Sequence, residues 1–308
     1  MKSTNTAQGA EYRSGFIAVV GKPNVGKSTL INGIMGTDLS IVSKKPQTTR
    51  RNIRLILTTD SSQMIFIDTP GLHTPRTKLG EHMIRNAKSS IRGVDVILLM
   101  TDARNDKIMR LDEDILTQAK QSRVPVVLAI NKTDLVRKEA LLPVIDKYHK
   151  EFGLAHIIPI SAINGDGKEQ LMEVLEGMLP IGSMLYPDSM ITDQTERDIV
   201  AERIREKALT YLDQEIPHGI GVGIERFKLN EEKEMYEIDA TIYCEKDSHK
   251  SIVIGKNGTV LKRIGSDARQ DIERVLGAKV FLDLWVKVKK DWRNSLPMLK
   301  TLGFTDKP

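Results

Sequence analysis

From residue 16 to about residue 180, short apolar runs alternate with stretches of helical period. The runs lie at 16–20, 53–58, 64–67, 95–101, 124–130 and 156–160. Most are continuously apolar, as strands covered on both faces must be, and the stretches between them have the spacing of helices. The alternation predicts an α/β fold: a doubly wound, mainly parallel sheet of the P-loop NTPase type. Its ligand belongs outside the C-terminal ends of the strands. The run at 53–58 can pair antiparallel with 64–67 across the turn Thr59-Asp60-Ser61-Ser62.

Beyond residue 180 the pattern changes. Residues 180–189 carry Pro, Gly and Ser with little periodicity, which marks a linker, drawn at 182–191. Residues 192–212 read as a helix capped by Thr192 or Asp193, with Ile199, Ile204, Ala208 and Leu212 as its apolar stripe. Two alternating strands follow near 221–229 and 235–243. After them come the apolar segment 251–254, a turn at 255–258 and a helix over 259–276. A last strand, 279–289, sets Val280, Leu282, Leu284, Val286 and Val288 on one face. The order α-β-β-α-α-β is that of an α+β layer domain. The expected organisation is a disordered lead-in at 1–14, a first domain at 15–181, the linker, and a second domain at 192–308.

The chemistry sits at the strand ends. Gly21-Lys22-Pro23-Asn24-Val25-Gly26-Lys27-Ser28 follows the first apolar run, and a helix starts behind it at Thr29. A glycine-bearing loop between strand and helix turns successive amides inward as an anion nest, and the helix N-terminus adds partial positive charge. Lys27 is placed to reach β- and γ-phosphates, and the Ser28 hydroxyl to ligate Mg2+. Asp68-Thr69-Pro70-Gly71 ends the run 64–67, so Asp68 can hold Mg2+ through water and the Gly71 amide can sense a γ-phosphate. Asn131-Lys132-Thr133-Asp134 ends the run 124–130. Asp134 can accept from N1–H and the 2-amino group of guanine, a donor pair that adenine lacks. Asn131 is expected to brace the loops, and the Lys132 stem to lie over the purine. Ser161-Ala162 ends the run 156–160, where a backbone N–H can meet guanine O6. Four such motifs in this order point to GTP and GDP with Mg2+.

Composition sets the outer bounds. At 308 residues the chain is long enough for two cores. The single Cys244 excludes an intramolecular disulfide, suits a reducing cytoplasm, and reads as a small buried residue in a strand. No apolar run approaches the ~18–20 residues of a membrane span. The polar N-terminal stretch has no apolar core of a signal peptide, and a transit peptide has no room before residue 16. Net charge is +5, a weak pointer to anionic partners. Its distribution says more: residues 185–245 carry 7 Lys and Arg against 15 Asp and Glu, whereas 246–308 carry 14 against 7. The basic end of the chain is the candidate nucleic-acid surface.

There, Ile254-Gly255-Lys256-Asn257-Gly258 joins two helical segments. Two glycines admit a nucleic-acid backbone, while Lys256, Lys262, Arg263 and the helix amides supply positive potential. Ile252 and Ile254 would floor the bases. Further on, Trp285 reads as a strand residue packed on a helix. Trp292 stands among Lys287, Lys289, Lys290 and Arg293, where an aromatic can stack on RNA.

One GTPase motif set followed by a GXXG segment in α-β-β-α-α-β order resembles the Era family. The resemblance runs from about Gly15 to Phe304. It includes Pro46-Gln47-Thr48-Thr49-Arg50 and Asp68-Thr69-Pro70-Gly71-Leu72-His73. It implies a GTPase domain followed by a type II KH domain that binds the 3′ end of 16S-type ribosomal RNA. It also implies a nucleotide-controlled role in assembly of the small (30S) subunit. Thr48 or Thr49 would be the switch threonine on Mg2+, Thr49 being preferred though spacing does not separate them. Asn24 could hold K+ as its relatives can, or merely shape the loop. Leu72 stands where related GTPases carry a water-orienting Gln, so slow intrinsic hydrolysis is expected. No general base can be named: His73 reads as surface, and Arg50 and Arg51 as solvated or RNA-facing. A monomer is expected. The alternative is a membrane-associated signalling GTPase linked to cell-cycle control, peripheral on the inner face of the membrane. The chain ends at Pro308 without a lipidation box, and residues 291–304 are only weakly amphipathic, which disfavours it.

Overall fold

The computed structural model describes residues 11–304 except 44, 46, 47, 73, 106, 214 and 215. His73, Pro46, Gln47 and most of the expected lead-in therefore lie outside the described residues. The chain divides into two compact units. One comprises 1–38, 52–69 and 87–193; the other comprises 39–51, 70–86 and 194–308.

The first unit is built on a six-stranded sheet. In chain order its elements are β1 (Arg13–Gly21), α1 (Lys27–Met35), β2 (Ile53–Thr58), β3 (Ser62–Asp68), then α2 (Lys78–Ser89), most of which belongs to the second unit. They continue with β4 (Val96–Asp102), α3 (Arg110–Ser122), β5 (Val126–Asn131), α4 (Leu141–Phe152), β6 (His156–Pro159) and α5 (Lys168–Met178). The strand order is β2-β3-β1-β4-β5-β6, parallel throughout except for the antiparallel β2–β3 pair. Every residue of β3 and β4 is buried, and their central residues 64–67 and 96–100 read as unbroken apolar runs. Chain order reverses about β1, so the crevice at its C-terminal end is where a ligand fits.

Residues read as a linker are strapped to this first unit. The Gln63 side chain accepts from the amides of Leu185 (2.7 Å) and Tyr186 (2.9 Å) and donates to Tyr186 O. The Ile56 amide donates to Ile191 O at 3.0 Å, extending the β2 edge. Thr192 and Asp193 are likewise occupied on β2, through Arg54 O and the Arg54 amide. Neither caps the next helix. The cap is Thr195, whose hydroxyl accepts from the Asp198 amide at 3.2 Å.

The second unit carries α6 (Glu196–Tyr211), β7 (Gly221–Asn230), β8 (Met235–Cys244), α7 (Asp247–Ile254), α8 (Thr259–Leu276), β9 (Lys279–Val288) and α9 (Leu296–Thr301). The sheet order is β7-β8-β9, antiparallel then parallel. Helices cover one face: Ile204, Ala208, Ile264, Ala268 and Ile272 close on Ile238, Ala240, Ile242, Val280 and Val286. Cys244 is buried at the end of β8. Two assignments fail here. Trp292 is fully buried, donates Nε1–H to Gly219 O at 2.8 Å, and packs with Leu79, Met83, Leu299, Leu302 and Phe304. A buried indole cannot stack on RNA. Trp285 is 59% exposed, because it shares the outward face of β9 with Phe281 and Lys287.

Candidate nucleotide site and nucleic-acid groove

The loop 21–28 joins β1 to α1 in the first unit. Gly26 has φ +102, and a Cβ there would come within 2.2 Å of Asn131 Nδ2, so only glycine lets the two loops meet. Asn131 is the joint: its Nδ2 donates to Val25 O at 2.7 Å, and its Oδ1 accepts from the Ala162 amide at 2.9 Å. Lys27 Nζ donates to Gly21 O (3.1 Å) and Lys22 O (2.9 Å). Burial pulls its pKa down to about 8, and the nearby Asp68 carboxylate opposes that pull. Ser28 Oγ lies 2.9 Å from Asp68 Oδ2. A hydroxyl and a carboxylate side by side form a hard-oxygen donor set suited to Mg2+. Thr29 continues α1 behind them, and Asn24, with φ +62, shapes the turn whatever else it does.

At the next strand ends, Asp134 Oδ1 accepts from Ser161 Oγ at 2.7 Å, which orients the carboxylate and leaves it further acceptor capacity. Lys132 Nζ donates to Asn24 O (2.6 Å) and to Asp102 Oδ2 (2.7 Å). The Ser161 and Ala162 amides, read as candidates to meet guanine O6, stand at the end of β6 beside Asp134. Those amides are engaged by Asp166 O and Asn131 Oδ1. Sequence reading missed Asp102, which stands one residue beyond the predicted end of its strand.

Thr48, Thr49, Gly71 and the buried Leu72 belong to the second unit. Thr49 is buried, and the Thr48 hydroxyl donates to Lys45 O at 2.6 Å. Neither Arg50 nor Arg51 is a surface cation. Arg50 is buried, donates to Ile220 O (2.6 Å) and His218 O (3.1 Å), and has its pKa lowered to about 9, first by burial and then by Arg205. Arg51 pairs with Asp198 at 2.5 Å and with Leu302 O. Lys45 caps the C-terminal carbonyls of α6 at Leu209 and Leu212. Leu79 and Met83 of α2 enter the Trp292 cluster.

In the same unit an open groove of ≈ 510 Å³ runs between α8 and the free edge of β9. Gly258 and Lys262, both read as RNA-facing in the sequence, line it, together with Arg269, Ser266, Phe281 and Leu284, which were not singled out there. Lys256, Asn257, Lys287 and Lys289 are exposed, outside the residues that line it. Arg263 stacks over Tyr211, 4.6 Å from the ring centroid. Ile252 is half exposed and Ile254 packs toward the core, so neither floors the groove. No helix among the described residues is long and apolar enough to cross a membrane.

Known proteins agree with this geometry. Residues 16–132 match the family described as 50S ribosome-binding GTPase, and residues 215–293 match the KH domain family. GTPase Era of Ruminiclostridium cellulolyticum is 52% identical over 95% of this chain and 98% of its own length. GTPase Era of Clostridioides difficile is 46% identical over 96% and 100%. A crystal structure of Era with MgGDPNP and nucleotides 1506–1542 of 16S ribosomal RNA superposes with a TM-score of 0.91, at 40% identity over 95% of this chain and 99% of that one. A tyrosine-to-alanine variant of Aquifex aeolicus Era bound to GDP·AlF4− gives the same TM-score, identity and coverage. The chain belongs to the GTPase Era family.

Proposed function

We propose that this GTPase is a nucleotide-controlled binder of the 3′ end of small-subunit ribosomal RNA, acting in the cytoplasm on the assembling small subunit. Its functional divisions would be the GTPase domain 15–181, the linker 182–191 and the KH domain 192–308. The observation that carries the nucleotide half is Asn131, whose amide ties the phosphate loop at Val25 to the base loop at Ala162. In this reading Gly21 to Thr29 cradle the phosphates, Lys27 neutralises them, Ser28 and Asp68 hold Mg2+, and Asp134 reads guanine. Mg2+ bound there would offset the charge developing on the phosphate oxygens. Thr49 and Gly71 are the candidates to sense the γ-phosphate. Leu72 has no polar atom with which to orient water, so turnover is slow without a partner.

The charge state of Lys27 sets a pH dependence. Phosphates favour the ammonium, so its pKa rises above about 8 on binding. Below pH 8 the lysine is charged in both states and affinity is full. As pH rises through 8, the free protein loses this proton first, and GDP affinity falls by up to about tenfold per pH unit. Titrations of GDP binding from pH 7 to 9.5 measure this; a flat profile would show Lys27 charged throughout. Asn24 is the candidate K+ ligand, and single-turnover GTP hydrolysis faster in K+ than in Na+ is expected if it acts so. Equal rates would leave Asn24 a shaping residue.

The RNA half rests on the groove beside Gly258, open between a helix and a free strand edge. The segments bearing Thr49 and Gly71 pack within the same compact unit as this groove, through Arg50, Arg51, Lys45, Leu79 and Met83. Ordering those segments on GTP therefore bears on the RNA-binding unit itself. Binding of an rRNA 3′-end oligonucleotide in GDP and in a non-hydrolysable GTP analogue tests this; equal affinities would defeat the switch. The membrane reading gains nothing from the structure. Of the apolar residues near the end of the chain, Leu299, Leu302 and Phe304 are buried within the second unit, and Leu296 is exposed.

A further inference from the structure

At the end of β4, Asp102 lies in register with Asn131 of β5. Its carboxylate is nearly buried and carries four hydrogen bonds. Oδ2 accepts from Lys132 Nζ (2.7 Å) and Arg104 Nη2 (2.6 Å), while Oδ1 accepts from Arg104 Nε (2.9 Å) and the Arg104 amide (3.1 Å). These bonds hold its pKa well below the usual carboxylate range against the opposing effect of burial. Arg104 grips the carboxylate bidentately, so the oxygen presented to Lys132 is fixed in place. Lys132 in turn reaches Asn24 O at 2.6 Å. Lys132 (φ +70) and Asn24 (φ +62) are both left-handed, a backbone state that non-glycine residues keep only when their surroundings hold them.

We propose that Asp102 is a positioning residue of the nucleotide site. Its carboxylate holds the Lys132 ammonium on the Asn24 carbonyl, so that the lysine stem stands as a fixed wall beside the base and the base loop is latched to the phosphate loop. The inference rests on the nucleotide-site reading above. The physical gain is preorganisation: an unanchored lysine keeps its rotamer freedom and must lose it on binding. Without Asp102 the lysine that ties the two strained turns together loses its second anchor. Asp102 acts through Lys132, so its effect should vanish when that ammonium is gone.

The test is a double-mutant cycle on the full chain, read by the release rate of fluorescent N-methylanthraniloyl-GDP. Asp102→Ala is expected to speed release about tenfold, the size of one charge-assisted hydrogen bond. Asp102→Asn, which keeps the shape and one acceptor, should speed it less; it also serves as the arm if the alanine variant does not fold. On a Lys132→Ala background either change should alter the rate by less than about twofold. A purely structural Asp102 would instead multiply the release rate on that background too, and this would overturn the proposal. So would an unchanged rate in both single variants. Failure of the wild-type chain to hold GDP would appear before any variant is made, and would remove the underlying site reading.

Discussion

Asp134→Asn is expected to turn base preference from guanine to xanthine. The Asp134 carboxylate is oriented by Ser161 Oγ at 2.7 Å and retains lone pairs for two more donors. Guanine offers two, N1–H and the 2-amino group. An Asn amide presents one acceptor and one donor, so its N–H groups face the 2-amino group and two charge-assisted bonds are lost. Losses of this kind run to about 3–5 kcal/mol, or roughly 10²–10⁴ in affinity. Xanthine carries an oxygen where guanine has the amino group, and the Asn donor then finds an acceptor while N1–H keeps its own. Competition of GDP and XDP for the variant measures both halves. GDP affinity within about threefold of wild type would show that Asp134 does not read the base.

The second large effect is expected at Gly258. Gly255 and Gly258 share a φ of +75, yet they are not equivalent probes. A Cβ at Gly255 would lie 2.5 Å from Val260 Cγ2, so substitution there disrupts the turn itself. A Cβ at Gly258 meets nothing within 4 Å, and Asp tolerates the left-handed region better than most residues. Gly258→Asp therefore keeps the fold at a modest cost. It sets a carboxylate in the groove at the N-terminus of α8, where a phosphate would come. Repulsion and the blocked approach should weaken RNA binding by about 10²-fold or more, with GDP affinity unchanged. Filter binding of the 3′-end oligonucleotide reads the first, and N-methylanthraniloyl-GDP titration the second. RNA affinity that survives the substitution would move the RNA site away from the groove.

The sheet of the first unit was legible because strands covered on both faces have continuous apolar centres, as at 64–67 of β3 and 96–100 of β4, which are buried at every residue. The phosphate and base loops were legible because their glycines, lysine and carboxylate stand at strand ends, where backbone geometry leaves few other uses. What stayed hidden depended on partners far away in the chain. Trp292 looks like an RNA platform beside lysines, but its neighbours Leu79 and Met83 are more than 200 positions away. Arg50 looks like a surface cation, yet the carbonyl that buries it is 170 residues on. Thr195 lost to Thr192 and Asp193 as cap because nothing local shows that β2 occupies those two. The groove is lined from α8 and β9 together, so Arg269 and Phe281 gave no local signal. Asp102 could have been found, since an Asp ending a buried strand is flanked by Arg104 two residues on and stands beside the strand that ends in the Asn-Lys loop.

The central claim is that the bound nucleotide governs attachment to the small ribosomal subunit. Co-sedimentation of the full chain with small subunits, in GDP and in a non-hydrolysable GTP analogue, tests it most directly. The account predicts association with the analogue, weaker association with GDP, and loss of both in Gly258→Asp. Equal sedimentation in the two nucleotides, or none in either, would contradict it.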